Sequence, residues 1–276
     1  MAEAMTTALV DEIVRTVLAS AKYAALDPTL VAEVAAQEVS KGRRRKDAIK
    51  EVKTRLHQSV GAYWDGHTNY ASWRAALEAV PDDAAQETLL RSIMRSHHSM
   101  RERMPFLEHF YRTLLDAIGP VHSVLDLGCG LHPLALPWMA LPANALYLAC
   151  DVDQEQIRFL DWWLAHYHQR GRAFVWNLLD GAPPSDVTGR VDVALLLKLA
   201  PCLEQLERGI MQRLLAEVTA RVLIVSFPAQ SLGGQRKGML ATYTAQMEAL
   251  LTGRLWRVER FEFPSELVFR VHREIT

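Results

Sequence analysis

The first hundred residues carry apolar side chains at the spacing of helices. Leu9, Ile13 and Val17 recur every four positions and would lie along one face of a helix. The pair Asp27-Pro28 predicts the start of a second helix, because an aspartate caps a first turn and a proline fits within it. Gly42 is expected to end that helix. The alternating pattern of a strand does not occur before residue 120, so this part is predicted to be helical.

From Val121 onward, short apolar runs alternate with helical segments. The runs read SVLDLG, ALYLACD, AFVWNLL, VDVALLLK and RVLIVSF, and this alternation predicts parallel pairing in a doubly wound sheet. The runs LWRVERFEF and ELVFRVHRE, separated by Pro264-Ser265, predict a hairpin at the sheet edge. We therefore predict an α/β fold with a Rossmann-like, mostly parallel seven-stranded sheet. The boundary between a helical domain (1–105) and the sheet domain (106–276) is placed after Met104-Pro105.

Composition narrows the possible classes of protein. Half of the 276 residues are hydrophobic, which is enough for a large buried core. The first residues lack the pattern of a signal peptide, and no apolar run approaches the roughly 18 residues that cross a membrane. We therefore expect a cytoplasmic protein without membrane contact. The three cysteines form no CxxC pair, which favours reduced thiols over a disulfide framework or a zinc site.

Positive charge is concentrated in one short segment. The formal net charge is −1, so contact with a nucleic acid would need a local patch. Residues 41–55 hold eight Lys or Arg and two acids. We predict that this segment contacts RNA phosphates, and a solvated helix face is the alternative. The cations assigned to this contact are Arg43, Arg44, Arg45, Lys46, Lys50 and Lys53.

A glycine turn follows the first predicted strand. In Asp126-Leu-Gly128-Cys-Gly130 the backbone can be approached closely, and ligands of doubly wound sheets bind beyond the carboxyl ends of strands. A dinucleotide site normally has a third glycine before a helix, but His132-Pro133 stands there. Asp151 lies 21 residues after Gly130, at the end of the next strand, where an acid can accept hydrogen bonds from ribose hydroxyls. The pattern favours S-adenosylmethionine; another ligand such as NAD is the alternative.

Several segments together resemble one family. Five parallel strands with a terminal hairpin are similar to the layout of class I S-adenosylmethionine-dependent methyltransferases. Within that class, the chain resembles the aminoglycoside-resistance 16S rRNA (guanine(1405)-N(7))-methyltransferases in HHSMRERMP, VLDLGCGLHPLALPWM, LLLKLAPCLEQ and SFPAQSLGGQRKGM. The last two are the most specific, since few methyltransferases have a lysine directly after the fourth strand or a Ser-Leu-Gly-Gly turn after the fifth. The resemblance covers both the helical part and the sheet.

The resemblance implies an activity and a partner. The enzyme would transfer a methyl group from S-adenosylmethionine to N7 of guanosine 1405 in the 30S ribosomal subunit, leave S-adenosylhomocysteine, and confer aminoglycoside resistance. No metal is expected. Three alternatives stay open: methylation of adenosine 1408, methylation of a small molecule, and a non-catalytic RNA-binding protein with a vestigial fold.

The resemblance also assigns residues to the cofactor. Arg103 would meet the methionine carboxylate, as a guanidinium fork can. Asp151 would hold the ribose, and Asn177 with Leu178 would read the adenine. Asn177 stands where the family tends to have an acid, so Asp180 is a rival for that contact. The full set is Tyr63, His97, His98, Ser99, Arg103, Gly128, Asp151, Asn177, Leu178, Leu197 and Gln205.

The chemistry at guanine N7 needs no general base, because N7 carries a lone pair and no proton. Catalysis is then expected to be mostly positioning, with the guanine flipped out of its helix. Lys198, just past the fourth strand, is assigned to the guanine or its phosphate rather than to proton abstraction, and a solvated lysine is the alternative. Arg236 and Lys237 are assigned to the RNA backbone.

Overall fold

The computed structural model describes residues 2–61, 68–167, 170–229 and 238–273. Its α-helices, in chain order, are α1 (Ala2–Leu18), α2 (Pro28–Ser40), α3 (Arg45–Ser59), α4 (Tyr70–Glu78), α5 (Asp83–Met94), α6 (His98–Arg103), α7 (Leu107–Leu115), α8 (Gln154–Tyr167), α9 (Ser185–Thr188), α10 (Ala200–Leu206), α11 (Ile210–Glu217) and α12 (Met239–Leu251). Short 3-10 helices cover Met104–Phe106, Asp116–Ile118, His132–Trp138 and Leu178–Asp180. None of the helices in the described ranges is long and apolar enough to cross a membrane.

The start and end of α2 agree with the sequence. The Asp27 carboxylate accepts a hydrogen bond from the Thr29 backbone N–H at 2.9 Å, and Pro28 occupies the first turn. The helix ends at Ser40, and Gly42 follows with φ of 73°, a left-handed conformation that glycine adopts at little cost. Asp27 and Gly42 therefore act as the predicted start and stop signals.

The strands form one seven-stranded sheet. They are β1 (Ser123–Leu127), β2 (Leu146–Asp151), β3 (Gly171–Val175), β4 (Val191–Leu197), β5 (Ala220–Pro228), β6 (Arg257–Phe263) and β7 (Glu266–His272). The spatial order is β3-β2-β1-β4-β5-β7-β6. The first five strands pair in parallel, whereas β7 is antiparallel to β5 and β6. The predicted hairpin is confirmed, with Pro264 and Ser265 between its strands.

The strand order reverses between β1 and β4. From β1 the chain adds β2 and then β3 on one side of the sheet. It then returns to the other side of β1, where it adds β4 and β5. In doubly wound sheets this reversal opens a crevice at the carboxyl ends of the strands. The glycine turn after β1, Asp151 at the end of β2 and Lys198 after β4 all lie at this crevice.

Each face of the sheet is covered by a different group of helices from the first part of the chain. Buried residues of α1, α2 and α3, such as Ile13, Val34 and Val52, share an apolar cluster with Leu125 and Val225 of the sheet. Buried residues of α5 and α7 share the cluster on the opposite face. The helical part is thus fixed against the sheet by common cores on both faces.

Backbone hydrogen bonds also join the segment before α2 to the end of β2. The Asp27 N–H donates to the Val152 carbonyl at 2.8 Å, and the Gln154 N–H donates to the Ala25 carbonyl at 2.8 Å. Leu26 and Asp153 form an isolated antiparallel bridge there. This attachment places the start of α2 at the rim of the crevice.

Candidate active site

The turn after β1 requires glycine at two positions. Gly128 and Gly130 have φ of 59° and 52°, in the left-handed region. A Cβ on Gly128 would lie 2.5 Å from Leu199 Cδ1, and one on Gly130 would lie 2.9 Å from the His97 ring. Glycine is therefore required at both positions, because Leu199 and the His97 ring pack directly against the turn.

Asp151 holds this turn from the end of β2. Its carboxylate accepts hydrogen bonds from the Gly130 N–H at 2.8 Å and the Val152 N–H at 2.7 Å. Burial raises the pKa of Asp151, and the hydrogen bonds to the backbone oppose that shift. A carboxylate so placed has lone pairs left for hydroxyl donors.

A 3-10 helix follows the turn where a dinucleotide site would have an α-helix. It begins at His132, whose Nδ1 pairs with the Asp126 carboxylate at 2.7 Å, while the Tyr147 hydroxyl donates to the same carboxylate at 2.8 Å. The Tyr111 hydroxyl lies 2.7 Å from His132 Nε2. In place of a third glycine, His132 therefore secures the turn through a buried network.

The segment α6 is tied to the terminal hairpin by a buried ion pair. Arg103 donates from Nε at 3.0 Å and from Nη2 at 2.7 Å to the two carboxylate oxygens of Glu266, and both side chains are at most 1% exposed. Burial alone would lower the pKa of Arg103 and raise that of Glu266. Their mutual attraction outweighs burial in each case and keeps both groups ionised.

Lys198 is a buried cation in the same network. Its side chain is only 4% exposed and its Nζ donates to Glu102 at 2.5 Å, with Glu266 at 3.9 Å. Its backbone is left-handed, with φ of 57°, and its N–H donates to the Ser226 hydroxyl at 2.9 Å. Lys198 borders the crevice, but it is a buried, paired cation and not the solvated one of the alternative interpretation.

The two neighbouring histidines take different positions. His97 is buried in the crevice wall with its Nδ1 2.9 Å from the Ser99 hydroxyl, and burial together with the nearby charge of Arg103 lowers its pKa to about 3. His98 instead faces Glu102 at 3.3 Å and is not among the residues that line the crevice, so its cofactor contact stays a prediction. The described residues contain no cluster of three or more potential metal ligands.

Asn177 is committed to a contact between the two parts of the chain. Its Oδ1 accepts the Leu179 N–H at 3.1 Å, and its Nδ2 donates to Thr29 at 3.3 Å and to Glu33 at 3.5 Å. Burial raises the pKa of Glu33, and the negative charge of the nearby Asp180 raises it further. Asn177 therefore joins α2 to the wall of the crevice, and one lone pair of its oxygen is left for a ligand.

The crevice is one cleft with about 950 Å³ of unoccupied space, including the part open to solvent. Eight of the predicted cofactor contacts line it: His97, Ser99, Arg103, Gly128, Asp151, Asn177, Leu178 and Leu197. Gln205 does not, because it lies on the exposed side of α10, whereas Cys202, Leu203 and Leu206 line the cleft. Tyr63 lies outside the described residues. The sequence interpretation missed Leu30 and Val60 of the helical part, and Asp153, Gln156 and Trp176 of the sheet part.

The lining fits S-adenosylmethionine from one end to the other. Gly128 and Gly130 line the cleft where the methionine part would lie, and Asp151 offers acceptors for ribose hydroxyls. Leu30, Trp176 and Leu178 form an apolar wall suited to an adenine ring. The amide Nε2 of Gln156 is a buried donor without a partner in the described residues, as expected where a ligand supplies the acceptor.

Asp153 gives a prediction on pH dependence. It caps α8 through the Glu155 and Gln156 N–H groups, and burial raises its pKa from 3.8 to about 6. The fold favours the protonated carboxyl, so this group contributes its full stabilisation below pH 3.8. That contribution is lost as the pH rises through about 6 and the carboxyl ionises. Asp153→Asn keeps a capping oxygen, so its free energy of unfolding relative to wild type should rise by about 1–3 kcal/mol between pH 4.5 and 8.

Urea denaturation at several pH values measures this difference. Asp27→Asn is the matched control for replacing a capping carboxylate with an amide, because the Asp27 side chain caps α2 in the same way. A difference between Asp153→Asn and wild type that does not change with pH would contradict the assigned burial of the Asp153 carboxylate.

The predicted RNA contacts lie just before α3 and along its first nine residues, and they differ in whether an acidic partner binds them. Arg43 and Arg45 bind Glu38 and Glu12 at 2.6 and 2.7 Å. Arg44, Lys46 and Lys50 are exposed, and Lys53 is half-buried. Arg236 and Lys237 lie outside the described residues.

Glu38 holds this basic segment in place. Its side chain is fully buried and also binds Lys41 at 2.6 Å and Arg55 at 2.7 Å. Arg55 in turn donates to the Leu206 carbonyl at 2.6 Å. Burial would raise the pKa of Glu38, but the hydrogen bonds from Lys41 and Arg43 lower it overall. The basic segment is therefore anchored to both α2 and α10.

The strand order, with a glycine turn after β1 and an acid at the end of β2, is that of a class I S-adenosylmethionine-dependent methyltransferase. A family model described as "Ribosomal RNA methyltransferase (FmrO)" matches residues 19–270. The chain belongs to this family.

Similar proteins cover almost the whole chain. A 16S rRNA (guanine(1405)-N(7))-methyltransferase of Frankia casuarinae is 36% identical over 96% of this chain and 94% of its own length. A protein of the same name from Micromonospora echinospora is 33% identical, over 96% and 97%. The crystal structure of 16S rRNA methyltransferase RmtF in complex with S-adenosyl-L-homocysteine has a TM-score of 0.82 at 30% identity, covering 96% of this chain and 98% of that one.

Proposed function

We propose that the protein methylates N7 of guanosine 1405 in the 16S rRNA of the 30S ribosomal subunit, in the cytoplasm, and so confers aminoglycoside resistance. The observation that carries the proposal is the combination of the cleft at β1 and β2 with similarity to methyltransferases of this name along 96% of the chain. Methyl transfer to purified 30S subunits tests it, and transfer to free nucleosides or small molecules instead would overturn it.

The proposed reaction needs positioning more than proton transfer. S-adenosylmethionine, when bound, supplies an electrophilic methyl group on a sulfonium that is a good leaving group. Asp151 would bind the ribose, and Arg103 would lie next to the methionine carboxylate. Glu266 holds the Arg103 guanidinium in that position. Lys198 carries its positive charge at the same rim. No described side chain is needed as a base, because guanine N7 has no proton to lose.

We propose residues 1–105 as the part that docks on the ribosome. The exposed cations Arg44, Lys46 and Lys50 are in this part, on a segment anchored by the buried Glu38. Lys and Arg that neutralise phosphates release counterions, so affinity depends steeply on salt. RNA duplexes are recognised by shape and backbone, which suits cations on one rigid helix start.

Charge reversal tests the docking surface. The double variant Arg44→Glu/Lys50→Glu should bind 30S subunits about tenfold or more weakly, with a slope of log affinity against log salt smaller by about 1–2. Filter binding at several salt concentrations measures both quantities. Affinity for S-adenosylhomocysteine should not change, because neither residue lines the cleft.

The double variant Arg190→Glu/Arg208→Glu is the matched control, because it changes the net charge equally at two exposed sites in the sheet part. It should bind 30S subunits within about twofold of wild type. Equal weakening by both double variants would show that only total charge matters and would remove the docking surface.

A further inference from the structure

Gln156 is a buried polar side chain that the proposed reaction has not yet used. It lies in the first turn of α8, is 2% exposed, and lines the cleft beside Asp151. Its backbone N–H donates to Asp153 at 2.9 Å, which fixes the position of the residue. Its side-chain Nε2 has no hydrogen-bond partner among the described residues.

An unpartnered buried donor costs free energy and calls for an explanation. Buried polar atoms without a hydrogen-bond partner also occur elsewhere in the described ranges. Among the described residues that line the cleft, Gln156 is the one with such an atom. The side-chain amide of Gln156 lies close to Asp151 and lowers the pKa of that carboxyl. No acceptor among the described residues, however, lies in hydrogen-bonding position for Nε2. The donor is therefore available to a molecule in the cleft.

The chemistry next to Gln156 indicates which group it meets. Asp151 can only accept hydrogen bonds, so a hydroxyl bound to it donates its proton and keeps acceptor lone pairs. Those lone pairs need a donor, because the bound hydroxyl has given up its hydrogen bonds to water. The amide N–H of Gln156 beside the carboxylate supplies that donor. Asp151 then accepts the hydrogen bond that the hydroxyl donates, and Gln156 donates one to the oxygen of the same hydroxyl.

We propose that Gln156 Nε2 donates a hydrogen bond to the oxygen of a ribose hydroxyl that donates to Asp151. Gln156 is thus a positioning residue that lets the site select a ribose over a deoxyribose. The inference rests on the proposed function, since that function places a ribonucleoside in the cleft.

Calorimetric titration of the full-length protein tests this role. S-adenosylhomocysteine and its 2′-deoxy and 3′-deoxy analogues are titrated into wild type and into Gln156→Met, which keeps a long unbranched side chain but lacks the donor. The variant should bind S-adenosylhomocysteine about tenfold more weakly, as for one lost hydrogen bond. It should bind the analogue that lacks the contacted hydroxyl within about twofold of wild type.

Gln212→Met is the matched control, because Gln212 is exposed on α11 away from the cleft, and it should bind all three ligands like wild type. Equal losses of Gln156→Met for all three ligands, or no loss for S-adenosylhomocysteine, would overturn the inference while leaving the proposed function intact. Failure of folded wild type to bind S-adenosylhomocysteine would overturn both. Thermal melting of each variant verifies that the comparison concerns folded protein.

Discussion

Replacing Asp151 with alanine should weaken binding of S-adenosylhomocysteine by about 100-fold or more. A hydrogen bond to a charged group contributes about 1.5–3 kcal/mol, and Asp151 is placed to accept from both ribose hydroxyls. The same carboxylate also accepts the Gly130 N–H at 2.8 Å, so its loss loosens the glycine turn. Calorimetry measures the affinity, and expression of the variant in cells measures aminoglycoside resistance, which should be lost.

Asp180→Ala is the control for this experiment. Asp180 is exposed at the end of the 3-10 helix Leu178–Asp180 and does not line the cleft, although the sequence left it as a rival to Asn177. Its variant should bind S-adenosylhomocysteine within about twofold of wild type. Undiminished binding or resistance in Asp151→Ala would refute the ribose assignment, and a large loss in Asp180→Ala would give the adenine contact to that residue.

Glu266→Gln should be the most destabilising conservative change in the network around the cleft. The variant leaves Arg103 buried without its carboxylate partner and removes the charge 3.9 Å from Lys198. Removing one partner of a buried ion pair costs about 3–5 kcal/mol, because the other charge stays desolvated. Urea denaturation measures the free energy of unfolding, and weaker binding of S-adenosylhomocysteine should accompany the loss, since Arg103 lines the cleft.

The pH dependence separates this charge effect from a packing defect. The pKa of Glu266 is lowered in the fold below its usual 4.5, so its stabilisation is present above that pH and is lost as the pH falls through the folded pKa. The difference between wild type and Glu266→Gln should therefore shrink under acid conditions.

Glu262→Gln, on the exposed part of β6 where it pairs with Arg260, should cost less than about 0.5 kcal/mol. Two outcomes would show that the buried charges are not coupled as described. One is an equally small cost for both variants, and the other is a cost for Glu266→Gln that does not depend on pH.

The sequence predicted the parts of the fold that depend on local patterns. Each of the five apolar runs contains a parallel strand, although the run AFVWNLL is strand only as far as Val175 and ends in a 3-10 helix. Pro264-Ser265 became the hairpin turn, and Asp27-Pro28 began α2. The three cysteines are buried and unbonded, as their spacing indicated. Asp151 joined the glycine turn because parallel strands end at the same edge of the sheet.

The sequence did not predict contacts between residues that are far apart in the chain. Arg103 and Glu266 are 163 positions apart, and Lys198 and Glu102 are 96 apart, so no spacing rule connects them. Helical periodicity places Cys202, Leu203 and Leu206 on the side of α10 that lines the cleft and Gln205 on another, so the cofactor contact of Gln205 stays a prediction. The boundary at residue 105 stays a prediction, and shared apolar clusters join the two parts across it.

The central claim is that this cleft delivers a methyl group to one ribosomal guanine. Purified 30S subunits are incubated with the protein and S-adenosylmethionine, their 16S rRNA is cleaved chemically at 7-methylguanosine, and primer extension maps the break. The account predicts one new stop at guanosine 1405, absent when Asp151→Ala replaces wild type. A stop at another base, or methylation of adenosine 1408 without cleavage at 1405, would contradict it.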